Sequence, residues 1–178
     1  MFNRMGVIRR LITDYDNKFS ISKNNNLWNK LCSSLDVAED TELAIRAYSK
    51  SKNTKSEGVK YLRLYGLLQA LYTQQLAFNG ICEVLGISYV LDDPTLKEIR
   101  VDRNDSVGHP TNRRTGCYHY IIRTSIAKSG FDLISFDKVS KSSHRHIAVN
   151  DLIMQQKGKV IKILKKVNTK IVKELKKE

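Results

Sequence analysis

Apolar residues along this 178-residue chain recur mostly at three- and four-residue steps, the period of a helix that hides one face. Val7, Ile8, Leu11 and Ile12 predict a short helix within residues 1–23, followed by a loop through KFSISKNNN. The asparagines at 24–26 can cap a helix running LWNKLCSSLDVAEDTELAIRAYSKS, with Leu27, Leu31, Leu35, Ala38, Ile45 and Tyr48 on its apolar side. The phase drifts between residues 38 and 45, which predicts a break at Asp36 or Asp40. After the polar KNTKSEG stretch, residues 57–85 carry Leu64, Leu67, Leu68, Leu71, Phe78, Ile81, Val84 and Leu85. That stripe is too wide for a surface helix and predicts the central helix of a bundle. Gly86 supplies its left-handed stop. Gly66 and Gly80 each cost about 1 kcal/mol of helix propensity, a cost that close packing of another helix would explain.

Asp92-Asp93-Pro94 reads as a helix start, an acidic cap followed by proline where its missing N–H costs nothing. TLKEIRVDRNDSV continues that helix, with Leu96, Ile99 and Val107 inward, until Gly108 and Pro110 stop it. The period then changes. Tyr118, Tyr120, Ile122, Thr124 and Ile126 alternate, Lys128-Ser129-Gly130 turns, and FDLISFD alternates again, which predicts a β-hairpin over 117–137. Asn150 or Asp151 caps a last helix over 150–178, with Leu152, Ile153, Val160, Ile163, Leu164, Val167, Ile171 and Leu175 on one side. No internal repeat is visible. The expected architecture is mainly α: one domain over 1–178, core helices in 24–113, a hairpin appendage and a basic C-terminal helix.

Composition changes this picture in two ways. With 41% hydrophobic and 28% charged residues the chain is an ordinary folded protein, without a signal-like opening or a membrane-length apolar run. A cytoplasmic location is therefore expected. The net charge of +13 is unevenly spread: residues 157–178 hold nine lysines against two glutamates. The other 156 residues still carry 22 cationic and 16 acidic side chains, so both parts suit a polyanionic partner. In the last helix Lys162, Lys166, Lys170 and Lys173 lie mostly opposite the apolar side, leaving them to meet phosphates or simply water. Arg113 and Arg114 are the next cationic candidates. Cys32, Cys82 and Cys117 are odd in number and far apart, which predicts reduced thiols. Of the four histidines only His144 and His146 are adjacent, with no acid or thiol near them in sequence, so neither a metal site nor a cofactor is expected.

Chemistry concentrates in Arg103-Asn104-Asp105-Ser106-Val107-Gly108-His109. Six residues apart on a continuous helix, Arg103 and His109 would stand about 120° out of phase. Pro110 pushes His109 out of the helical region and Gly108 permits a sharp exit, so His109 is expected to fold back beside Arg103. RNA transesterification needs those two parts: a permanent cation that grips phosphate with two donors, and an imidazole that moves a proton near neutral pH. Spacing alone is weak, since Arg113 and Arg114 stand at comparable distances before His119, but that pairing runs through loop into strand. An exposed arginine paired with Asp102 or Glu98, and a histidine capping a helix end, is the competing reading.

The Arg-Asn-x4-His pattern at the end of a core helix resembles the HEPN motif. The stretches YLRLYGLLQALYTQQLAFNGICEVLG and LKEIRVDRNDSVGHPTNR resemble the two central helices of bacterial HEPN-type proteins. The match covers residues 57–113. The resemblance implies a helical bundle that dimerises to form one composite cleft, metal-independent endoribonuclease activity, and a place in toxin–antitoxin or antiphage systems with a partner protein. It implies that Arg103 steadies the phosphate, His109 is the general acid/base, and Asn104 positions them. Family toxins silenced by AMP transfer carry a tyrosine two residues past the histidine, where this chain has Thr111. A non-catalytic module binding nucleic acid or a partner protein is the alternative.

Overall fold

The computed structural model describes residues 2–14, 23–88, 93–108, 110–111, 116–139 and 141–176. The chain is mainly helical, with a small antiparallel sheet of three strands. Helices α1 (Phe2–Asp14), α2 (Asn25–Lys50) and α3 (Glu57–Val84) come first, then α4 (Pro94–Arg103), which passes into a π-helical turn at Asn104–Gly108. Strands β1 (Tyr118–Ile121), β2 (Gly130–Phe136) and β3 (Ser142–Ala148) follow, and α5 (Val149–Leu175) ends the described chain.

The caps behave as their chemistry dictates. Asn24 accepts the backbone N–H groups of Asn26 and Leu27, and Asp93 accepts that of Leu96, with Pro94 in the first helical turn. Gly86, at φ 61°, takes the left-handed position after α3. Two expectations at helix ends fail. α2 runs unbroken past Asp36 and Asp40, because Thr41 fills the apparent gap in its apolar face. Its hydroxyl turns back to the carbonyls of Val37 and Ala38 and is thereby satisfied while buried. α5 starts at Val149 directly from β3 with no side-chain cap, so Asn150 and Asp151 lie inside its first turn. In α1 the buried face is Met5, Ile8 and Ile12, whereas Val7 points to solvent.

The core has two halves. One joins Met5, Ile8 and Ile12 of α1 to Leu31 and Leu35 of α2, Phe78, Ile81 and Cys82 of α3, and Val160, Leu164, Val167 and Ile171 of α5. The other joins Leu64, Leu67, Leu68 and Leu71 of α3 to Leu96 and Ile99 of α4, Phe131 and Leu133 of β2, and Leu152 of α5. α3 contributes to both, as its wide stripe predicts. Of its glycines, Gly80 faces the Ser34 side chain of α2, where a Cβ would collide, but nothing approaches Gly66. Close helix packing therefore explains only one of the two.

Between the halves lies a layer of buried glutamines. Gln156 of α5 donates to the Leu71 carbonyl at 2.7 Å and to Gln74 at 3.0 Å. Gln75 donates to Gln156 at 2.8 Å and accepts from Arg100 of α4 at 2.8 Å.

The predicted hairpin is in fact part of a meander. β1 stops at Ile121, and Arg123–Ser125 form a 3-10 turn instead of continuing the alternation through Thr124 and Ile126. Ser125 is the cause: its hydroxyl donates to the Ile122 carbonyl and accepts the Asp132 N–H. Gly130 opens β2 rather than closing a turn, since a Cβ there would meet the Ile147 carbonyl and the His146 ring. β3 pairs along all of β2, from Gly130↔Ala148 to Phe136↔Ser142. Nothing in its sequence announced it, because only Ile147 among its seven residues is buried.

Gln156→Ala should remove both a donor and an acceptor from the buried layer and leave a void. We expect a loss of about 3 kcal/mol in urea denaturation. A loss under about 1 kcal/mol would mean that water replaces the amide without penalty.

Candidate functional site

Arg103 ends α4 and turns its guanidinium onto the outer side of α3. Gln69 Oε1 accepts from Nε at 3.2 Å and from Nη2 at 2.6 Å, while Asn104 Oδ1 accepts from Nη1 at 2.9 Å. The cation lies 4.7 Å from the centre of the Tyr72 ring. No carboxylate lies within ion-pair distance of Arg103 among the described residues, so the expected competitors Asp102 and Glu98 do not neutralise it. A guanidinium has about five N–H donors. Three are used here, which leaves one on each terminal nitrogen, the fork that suits two phosphate oxygens.

Gly108 works differently from its expected role. It is not left-handed; it is bare, and a Cβ there would run into the Arg103 guanidinium and approach Asn104 Oδ1 at 3.1 Å. His109, Arg113 and Arg114 lie outside the described residues. The structure thus brings Arg103, Asn104 and Gly108 together, and adds Gln69 and Tyr72, whose signal in sequence was only that they occupy polar-face positions of an otherwise apolar helix.

The turn that carries this arginine is tied to the sheet by Arg145 of β3. Its Nη1 stands 2.7 Å from Asp102 Oδ1 and its Nη2 donates to Asp105 Oδ2 at 3.2 Å. Both carboxylates are buried. Burial pushes the Asp102 carboxyl above the usual carboxylate range, and the charges of Asp105 and Glu98 add to this against the pull of Arg145. His119 of β1, the partner in the weaker arginine–histidine spacing, is buried too. It is hydrogen-bonded through Nδ1 to Ser135 at 2.7 Å, with Nε2 3.6 Å from Asp105. Its place is behind the motif turn, not beside Arg103.

The outer side of α3 is unexpectedly apolar around the site. Leu62, Tyr65, Gln69, Tyr72 and Leu76 follow each other at steps of three and four residues, the spacing of a helix–helix seam. Leu62 is 73% exposed, Tyr65 40% and Leu76 45%, and Arg103 sits midway along this seam. On α5, Lys162, Lys166 and Lys173 are exposed opposite the buried side, but Lys170 is half-buried and paired with Glu174 at 2.9 Å.

His144 and His146 have an acidic neighbour after all. Asp132 of β2 takes a 2.6 Å contact from His146 Nδ1 and lies 3.7 Å from His144, and the His146 bond holds its carboxyl below the usual range. Among the described residues no group of three or more His, Cys, Asp or Glu side chains is arranged to hold a metal ion. All three cysteines are free thiols, Cys82 buried and the other two half-buried, and burial pushes the Cys82 thiol up to about 11. No helix among the described residues is long and apolar enough to cross a membrane. Comparison with family models, with curated proteins and with solved structures returned no match.

Arg145→Gln should destabilise the chain by about 2 kcal/mol at pH 7, below the 3–5 kcal/mol of fully buried pairs because the Arg145 side chain is 45% exposed. An acid whose folded value is raised binds its proton more readily folded than unfolded, so stability falls as pH rises through that window. Without Arg145 the Asp102 carboxyl rises further and the fall steepens. The deficit of the variant should therefore shrink toward pH 4; an equal deficit at pH 4 and pH 7 would show that charge pairing is not what Arg145 provides.

Proposed function

We propose that this chain is a metal-independent endoribonuclease of HEPN-like architecture that works as a homodimer. The observation that carries the reading is Arg103: a cation without a carboxylate among the described residues, held by Gln69, Asn104 and Tyr72, with two N–H groups left to offer. Holding the side chain in advance lowers the entropy lost when phosphate binds. In the proposed reaction the 2′-hydroxyl of a ribose attacks the adjacent phosphorus and the 5′-oxygen departs. The products are a 2′,3′-cyclic phosphate and a free 5′-hydroxyl. Arg103 offsets the charge that builds on the phosphoryl oxygens. His109 takes the attacking proton or returns one to the leaving oxygen, and a dimer supplies two histidines for the two transfers.

The exposed seam on α3 supports the dimer. Packed against its own copy about a two-fold axis, Leu62, Tyr65 and Leu76 would be covered and the two Arg103 groups brought toward each other. The exposed lysines of α5 add a sequence-independent attraction for RNA. A growth-arrest or antiphage role, with an antitoxin or defence partner, extends the same reading.

Purified protein should cut mixed RNA in the presence of EDTA and leave single-stranded DNA whole. Arg103→Ala and His109→Ala should each abolish cleavage while RNA binding persists. Arg103→Lys keeps the charge but loses the fork, and should lose most of the activity. Cleavage that stops with chelator and returns with magnesium rejects the mechanism, and intact cleavage in His109→Ala rejects the site. Light scattering at micromolar concentration should report about twice the 20.4 kDa chain, and Leu62→Asp should halve that mass. A monomer that still cuts RNA would exclude the shared cleft.

A further inference from the structure

A cleft of about 270 Å³ opens where the end of α2, the loop at 51–56, the first turns of α3 and the segment 126–128 ahead of β2 come together. Its apolar wall includes Tyr48 and Ile126, both buried; the Tyr48 hydroxyl donates to the Lys128 carbonyl at 3.2 Å and ties α2 to that segment. Its charged members are Lys52, Lys60, Arg63 and Lys128, and no Asp or Glu lines it. Arg63 is fixed in place, donating from Nη1 to the Lys52 carbonyl at 2.7 Å.

Four like charges around one concavity repel one another, and no carboxylate among the residues that line it relieves them. Elsewhere several cations are paired across elements: Arg9 with Asp36 and Glu39, Lys30 with Glu83, Lys159 with Asp93. Even Glu57, in the first turn of α3, turns instead to Arg123 outside the cleft at 3.8 Å. Among the described residues none of the four cleft cations has a carboxylate within ion-pair distance. A concave, one-signed field of this kind concentrates anions.

We propose that this cleft binds a small phosphorylated ligand, a nucleoside monophosphate. A phosphate monoester carries close to two negative charges at neutral pH, matching the cation cluster better than one carboxylate would. The Arg63 fork suits two of its oxygens, and the lysines act as point charges around it. The volume is near the lower end of small-molecule sites, roughly 300–1,000 Å³, so it admits one nucleotide and not a strand. Tyr48, Ile126 and Ala127 offer an apolar wall for a base, while Ser51, Asn53 and Thr54 offer hydrogen bonds to ribose or base edges. The site shares no residue with the Arg103 cluster and does not rest on the cleavage reading.

Calorimetric titration of the full chain with uridine monophosphate, uridine and inorganic phosphate tests this. The monophosphate should bind saturably and weaken with added salt, and uridine should bind at least tenfold more weakly. Lys60→Gln/Lys128→Gln should lower monophosphate affinity at least tenfold without lowering the thermal midpoint of the free protein, since neither lysine has an ion partner among the described residues and their removal relieves like-charge repulsion. Arg63→Gln is a less clean probe because it also releases the Lys52 carbonyl. No saturable binding at low millimolar ligand, or equal affinity in parent and double variant, overturns the proposal. So does a 5′-phosphorylated oligoribonucleotide that binds through Lys60 and Lys128 when the mononucleotide does not, which would assign the cleft to RNA ends.

Discussion

Gln156 holds the two halves of this molecule in register. An amide buried among apolar side chains is costly unless its donor and acceptor are both used, and that demand admits few arrangements. Here it fixes α5 against α3 through the Leu71 carbonyl and Gln74, and Gln75 passes the constraint to Arg100 of α4. Apolar contacts alone would let α5 slide along α3 by a turn at little cost, since leucine and isoleucine repeat along both. The glutamine layer removes that freedom, and with it the freedom of α4. Where Arg103 can stand follows from where α4 stands.

The π-helical turn shows how the geometry of the candidate site is built from packing and charge together. Asp102 and Asp105 lie one turn apart and share Arg145, so the sheet pulls this side of the turn inward. Val107 packs against the second half of the core. With one side anchored, the opposite side presents Arg103 to α3, and Gly108 leaves the volume the guanidinium needs. Wide turns of this kind are common at functional sites because they re-aim side chains without breaking the helix. The small sheet is thus a support for the motif, although its strands follow it in sequence.

Cations fall into three populations with different physical fates. Those paired across elements, such as Lys159 with Asp93, serve the fold. Those on the outer side of α5 are solvated and set the long-range field. Arg103 and Arg63 are held by hydrogen bonds, and neither they nor Lys52, Lys60 and Lys128 of the cleft have a carboxylate within ion-pair distance among the described residues.

Hydrophobic periodicity, caps and glycine placement were enough to find the five α-helices of the described residues, because each of those signals acts within a few residues. α3 was read as central for the right reason, the breadth of its apolar stripe. The same local rules misplaced what depends on distant partners. The phase drift near Asp36 and Asp40 read as a break because nothing local showed that the Thr41 hydroxyl would find the backbone of its own helix, and β3 stayed hidden because its outer face is polar and its pairing is with β2. At the site, sequence picked out Arg103 and Asn104 but assigned Gly108 a conformational task when its task is spatial. Gln69 and Tyr72 were beyond reach, since they lie a helix away, 34 and 31 residues earlier in the chain. Residue types and their spacing decided which groups this protein has to offer. Only the packing of α4 on α3, fixed by a buried amide layer and an arginine shared between two carboxylates, decided which of them meet.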